Sequence, residues 1–165
     1  MTDKPLPLIR PARVEDAERC GDIAVAAWEP VYWSFRRMVG DELFALQWPN
    51  WRDDKRGQVE GFIRKHTDWA IVTELDGAIA GFLTYTINAE RGSGEIGNNA
   101  VDPGFQGYGI GTLQCERVLD IFREAGLKFA TVYTGLDEAH LPARLMYAKA
   151  GFDLSTPHIR YYKRL

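Results

Sequence analysis

Residues 95–119, EIGNNAVDPGFQGYGIGTLQCERVL, constrain this chain more than any other stretch. They read as a short strand over 95–101, a turn at Asp102-Pro103-Gly104, and then Gly107, Gly109 and Gly111 opening directly into an amphipathic helix. A helix N-terminus leaves backbone N–H groups unpaired and carries partial positive charge, so it attracts phosphate. Glycines just ahead of it let those N–H groups come close.

Spacing excludes two well-known phosphate loops. Gly104 and Gly109 have the separation of a Walker-type loop, but Ile110 stands where its lysine must be. Gly107 and Gly109 begin a dinucleotide fingerprint, but the third glycine comes one residue early and Thr112 holds its place. A nucleotide-binding enzyme is therefore disfavoured.

The chain has 165 residues, enough for one domain with one substantial core, expected to span residues 1–165. A net charge of −3 gives no electrostatic case for nucleic acid or an anionic membrane as partner. Cys20 and Cys115 form no Cys-x-x-Cys pair and lie on apolar helical stripes, so buried thiols are expected rather than a disulfide or a metal site. The opening MTDKPLPLIRP has no apolar core of signal-peptide length, and no apolar run approaches a membrane span, which makes the cytoplasm the default location.

A first strand is expected over 6–13, followed by a helix whose apolar stripe includes Ala17, Cys20, Ala24, Ala27, Trp28 and Val31. Beyond Pro30 an aromatic segment, VYWSFRRMVG, is read as lying between helices, its rings either lining a pocket or packing in the core. Short helices are expected over 41–47 and 51–66. Strands over 69–74 and 78–88 are joined by Asp76-Gly77, a strong hairpin signal. After the central helix (109–125) come a strand over 128–134, a helix over 141–150 and two short closing strands within 152–165. This order implies an α/β (α+β) fold with a mixed, mostly antiparallel sheet of about seven strands flanked by helices.

Two motifs carry a family resemblance. Gln106-Gly107-Tyr108-Gly109-Ile110-Gly111 resembles the Gln/Arg-x-x-Gly-x-Gly/Ala pyrophosphate loop of the Gcn5-related N-acetyltransferase (GNAT) superfamily. His140-x-x-Ala143 followed by Tyr147 and Gly151-Phe152 resembles that family's closing motif, with His140 where asparagine is usual. The succession of elements is similar over nearly the whole chain. The resemblance implies acetyl-CoA as cosubstrate and no metal. It implies a pyrophosphate held by the backbone of residues 106–112 (Gln106 to Thr112), with Ile110 and Tyr108 among them. It also implies an acetyl carbonyl polarised by a backbone N–H near Ala100-Val101, an arm passing Ala143 and His140, and the Tyr147 hydroxyl near the thioester sulfur.

The reaction so implied is direct attack by a primary amine, from a small molecule or peptide, in a ternary complex. Tyr147 is the expected general acid, since thiols titrate at about 8.5 and tyrosine at about 10. An alkylammonium needs a base, and Glu95, six residues before Val101 and expected on the same strand face by period two, is the candidate. A water relay, or a solvated strand end with no such role, fits Glu95 equally. Asn99 is expected on that face too, meeting either substrate or a structural partner. The rival function is a non-catalytic acyl-CoA-binding or interaction module on the same fold. Apolar surface on the closing strands would support a homodimer.

Overall fold

The computed structural model describes residues 6–165; the first five residues of the stretch read for a leader lie outside it. Five strands form one sheet in the order β1-β2-β3-β4-β5: Leu8–Pro11, Ala70–Leu75, Ala78–Asn88, Ser93–Val101 and Phe129–Val132. The first four pair antiparallel and β5 runs parallel to β4. A parallel neighbour needs a long crossover, and the helix after the glycine loop, α4 (Ile110–Glu124), supplies it. The preceding helices are α1 (Ala17–Val39), α2 (Asp41–Gln47) and α3 (Trp51–Lys65), and α5 (Leu141–Lys149) follows β5.

Alternation along the strands divides the core. Val72 and Phe82 face α1 and α3, packing on Cys20, Ile23, Val59 and Ile63, whereas Ile71 and Leu83 face α4 and α5, meeting Cys115, Val118, Phe122 and Tyr147. Both cysteines are buried, and burial raises the Cys20 thiol to about 12 and the Cys115 thiol to about 11. Neither is a nucleophile near neutral pH.

Two expectations fail here. First, the aromatic segment beyond Pro30 does not lie between helices but is carried within α1 as far as Val39. Pro30 removes one ladder bond, the partner of the Ala26 carbonyl. Beyond it Val31 and Ser34 are buried, and Tyr32 stacks on Trp51 at 4.2 Å, packing that outweighs the lost bond. Second, residues 152–165 form no strand, so the sheet has five strands rather than about seven. An alternating pattern specifies a strand only where a partner edge receives it. This tail instead runs beside the helices, Phe152 packed edge-on to Tyr147 at 5.5 Å and Arg164 paired with Glu42 at 2.6 Å.

Candidate active site

The site begins with a break in pairing. Strands β4 and β5 are hydrogen-bonded only from Ser93↔Phe129 to Ile96↔Val132, after which β4 continues to Val101 paired with β3 but with no strand on its other side, while the chain beyond β5 turns away. The edge of β4 from Gly97 to Val101 is therefore open. Asp102 N–H donates to Ala80 on the β3 side, and N–H groups alternate along a strand, so those of Val101 and Asn99 point to the open edge.

A bulge shapes the same edge. Leu83 pairs with Asn99 but Tyr85 with Ile96, so β4 spends one residue more than β3 between these pairs. Gly97 sits at this point, where a Cβ would lie 2.8 Å from Thr84 Oγ1. The extra residue breaks period two, and this corrects the expected placement of Glu95. Its cross-strand partner is Thr86, on the α1/α3 face, whereas Asn99 opposes Leu83 on the α4 face. Glu95 is exposed, and it lines the cleft from the side opposite Asn99.

Asn99 is anchored inside the protein. Its Nδ2 donates to Gly111 O at 3.1 Å, and its Oδ1 accepts from Gln114 Nε2 at 2.7 Å. Gln114, fully buried on α4, also donates to Phe82 O at 3.1 Å and accepts from the Thr73 hydroxyl at 2.8 Å. This network ties β2, β3 and β4 to the first turn of α4. The Asn99 side chain is thus a structural strut, leaving its backbone for a ligand. Sequence reasoning missed Gln114, although a glutamine among Ile110, Cys115, Val118 and Phe122 on an apolar stripe is the signal that could have found it.

The glycine loop leads into α4 with Gly107 at φ +85° and Gly109, its N-cap, at φ +74°. No side chain caps this helix, and at both positions the space a Cβ would enter is open. Ile110 turns its side chain into the core with Leu75 and Ala80, so only its backbone faces the loop. Gly111 lies 3.5 Å, measured from an ideal Cβ, from Met146 Sδ on α5.

A cleft of about 2080 Å³ runs between the β4 edge and α5, and continues along α1 and α2. It brings together Glu95, Asn99, Ala100, Val101, Gln106, Gly111, His140, Ala143 and Tyr147. Gly107, Tyr108, Gly109, Ile110 and Thr112 stand at its end, outside the lining, as a loop and helix start. Its far wall carries Tyr32, Phe35 and Trp48, the last two stacked at 5.3 Å. Residues 158–165 of the tail also line it. Among the described residues no group of three or more acidic, histidine or cysteine side chains is placed to hold a metal. None of the described helices is long and apolar enough to cross a membrane.

Tyr32, Tyr147, Lys55 and Asp137 around the cleft are perturbed or tightly held, the Tyr32 phenol being raised by burial with Asp54 adding to it. Burial raises the Tyr147 phenol well above its usual range and Cys115 adds to the effect, against a hydrogen bond with Asn99. Lys55, on α3, is driven down to about 8 by burial; its Nζ donates to Asn98 Oδ1 at 2.6 Å and lies 3.7 Å from the centre of the Trp28 ring. It was not legible in the sequence, because α3 carries charge on most of its surface. The Asp137 side chain is largely covered, which disfavours its charge, but hydrogen bonds from Ser34 and His140 and the nearby imidazole hold its carboxyl below the usual range.

A mixed sheet split at one end, with a glycine loop entering a helix beside the split, defines the class of acyl-CoA-dependent acyltransferase folds. Residues 27–152 match the model of the acetyltransferase (GNAT) family, and the chain belongs to that family. A mycothiol acetyltransferase of Beutenbergia cavernae is 31% identical over 93 residues, 56% of this chain. The match spans only 30% of that relative's length. The fold is that of the PaiA N-acetyltransferase of Thermoplasma acidophilum, solved with coenzyme A (TM-score 0.71, 18% identity, 93% of each chain). It is also that of a GNAT family acetyltransferase of Brucella melitensis solved with acetyl-CoA (TM-score 0.61, 22% identity, 90% of this chain and 84% of that one).

Proposed function

We propose that this protein transfers an acetyl group from acetyl-CoA to a primary amine, on a small molecule or peptide, by direct attack in a ternary complex. The observation that carries this reading is the open edge of β4 at Gly97–Val101, set beside the uncapped start of α4. An edge with free N–H and C=O groups pairs with the amide-bearing arm of coenzyme A as it would with a strand. The unpaired N–H groups at the start of α4, with Gly107 and Gly109, suit a diphosphate. The residues present fit the cosubstrate.

In this reading the Val101 N–H polarises the acetyl oxygen, since a donor aimed at a developing oxyanion in a dry site is worth several kcal/mol of barrier. Ala143 leaves room for the arm. Tyr147 keeps its proton at neutral pH and delivers it to the leaving thiolate. The transfer costs about 1.4 kcal/mol for each unit by which the two acidities differ, and a thiolate against the same buried wall is also destabilised, which narrows the gap. The acceptor lies along the aromatic wall of α1 and α2, with Glu95 at the mouth attracting its cation. The exposed apolar tail residues Leu154, Ile159 and Tyr161 support a homodimer.

The test is thiol release from acetyl-CoA, followed with a chromogenic disulfide, in the presence of phenethylamine, spermidine, lysine and a short peptide with a free N-terminus. Amine-dependent release with matching N-acetyl product by mass spectrometry is expected. Tight coenzyme binding with no release above the amine-free rate would leave a binding module in place of an enzyme.

A further inference from the structure

We infer that His140, oriented by Asp137, is the base that takes the proton from the acceptor nitrogen; this rests on the acyl-transfer reading above. The family resemblance assigns this position an asparagine-like contact with the cosubstrate arm, and the local structure gives the imidazole a different setting. His140 Nδ1 is bonded to Asp137 Oδ1, and the Asp137 side chain is 9% exposed. The turn is built closely around the pair: a Cβ on Gly135 would lie 2.5 Å from His140 Nδ1 and 2.6 Å from Asp137 Oδ1. Arg144 fastens it from α5 by donating to Gly135 O at 2.7 Å and Asp137 O at 2.8 Å. Phe35 of α1 stacks on the ring at 6.2 Å. With Nδ1 committed, Nε2 is the nitrogen left to the cleft that His140 lines.

The position suits the task. His140 is the N-cap of α5, seven residues ahead of Tyr147 and about 10 Å from it along the helix axis, and both line the cleft. A helical tyrosine leans toward the N-terminus, which brings its hydroxyl back toward His140. The ring also abuts the Phe35–Trp48 wall where an amine's body would rest. Glu95, by contrast, is an exposed carboxylate without a positioning partner. The groups packed against the His140 ring are Asp137 from its own turn and the non-ionising Phe35 from α1, while Arg144 of α5 and Ser34 of α1 reach it only through Asp137 and Gly135.

The protons balance as follows. The acceptor ammonium loses one proton through Nε2 to solvent, and the freed lone pair forms the C–N bond at the thioester carbon. The nitrogen of the adduct then gives its second proton to Nε2 as the C–S bond breaks, and the thiolate takes one from Tyr147. The His140 proton passes back to Tyr147, leaving amide, free thiol and one proton released to solvent.

The decisive variant is His140→Asn, which restores the asparagine of the family motif and removes the base. With the amine from the panel that wild type turns over fastest, kcat is expected to fall about 100-fold or more. Coenzyme affinity by calorimetry should stay within about threefold, and the acidic limb of the kcat/KM profile against pH should disappear. Asp137→Asn should shift that limb rather than abolish it. A His140→Asn enzyme with near wild-type kcat and an unchanged limb would overturn the assignment, as would loss of the limb in Glu95→Gln instead. Absence of turnover by wild type itself, with coenzyme bound, would remove the transfer reading and this inference with it.

Discussion

Replacing Gln114 with leucine tests how the site is held together. Gln114 is fully buried, and its amide answers the Thr73 hydroxyl, the Asn99 side chain and the Phe82 carbonyl at once. Leucine has a similar volume, so the cavity term is small, but it leaves Asn99 Oδ1 and the Thr73 hydroxyl without partners. Each stranded buried group costs about 1–3 kcal/mol, against which burial of the leucine side chain gains about 1.5–3 kcal/mol. Mid-range values of these terms leave a net loss of about 2 kcal/mol, with about 2–4 °C in Tm for each kcal/mol in a domain of this size. Denaturant unfolding of Gln114→Leu, Thr73→Val and the double variant reads both the loss and the coupling. The double variant removes both ends of one bond, so a coupling of about 0.5–3 kcal/mol is expected. Because Asn99 links Gln114 to Gly111 O, coenzyme affinity should weaken as well. Additive effects, or a Gln114→Leu protein as stable as wild type, would refute the claim that this network organises the site.

Other perturbations have definite outcomes. Gly109→Asp should fold, since aspartate tolerates positive φ better than most residues and nothing crowds the added Cβ; calorimetry should then find coenzyme binding abolished by the carboxylate at the helix start. Tyr147→Phe should lower kcat by about 100-fold while coenzyme affinity changes little, and equal activity would remove Tyr147 from the proton-donor role. Lys55 is expected to carry a pH-dependent penalty. Its folded value of about 8 lies below the usual 10.5, so the unfolded chain binds more protons across that window and stability rises with pH there. Lys55→Met should therefore be stabilised relative to wild type at pH 7, by at most about 3 kcal/mol before its lost hydrogen bonds are deducted. That advantage should shrink as pH rises from 8 to 10.5, and a difference in Tm independent of pH would contradict the assignment.

The parts of the fold readable in the sequence were those governed locally. Asp76-Gly77 marked its hairpin, the glycines marked the start of α4, and the stripe Cys115, Val118 and Phe122 marked its buried face. What escaped depended on distant partners. The segment beyond Pro30 read as a connection between helices, but packing of Val31, Ser34 and Tyr32 carries α1 through it. The last fourteen residues have a strand-like pattern and find no edge to pair with. Within the site, period two placed Glu95 with Asn99, and one bulge at Gly97, invisible without the register of β3, separates them onto opposite faces. Lys55 and Asp137 look like ordinary surface charges until α3 and the turn before α5 are folded around them.

The central claim is that main-chain amides at the start of α4 and along the open β4 edge form one continuous binding surface for acetyl-CoA. Titrating isotope-labelled protein with coenzyme A and following backbone amide resonances tests it residue by residue. The account predicts the largest shifts at Gly107, Gly109, Ile110, Gly111 and Thr112, together with Asn99 and Val101. Saturable shifts confined to other elements, or none at those amides despite binding, would contradict it.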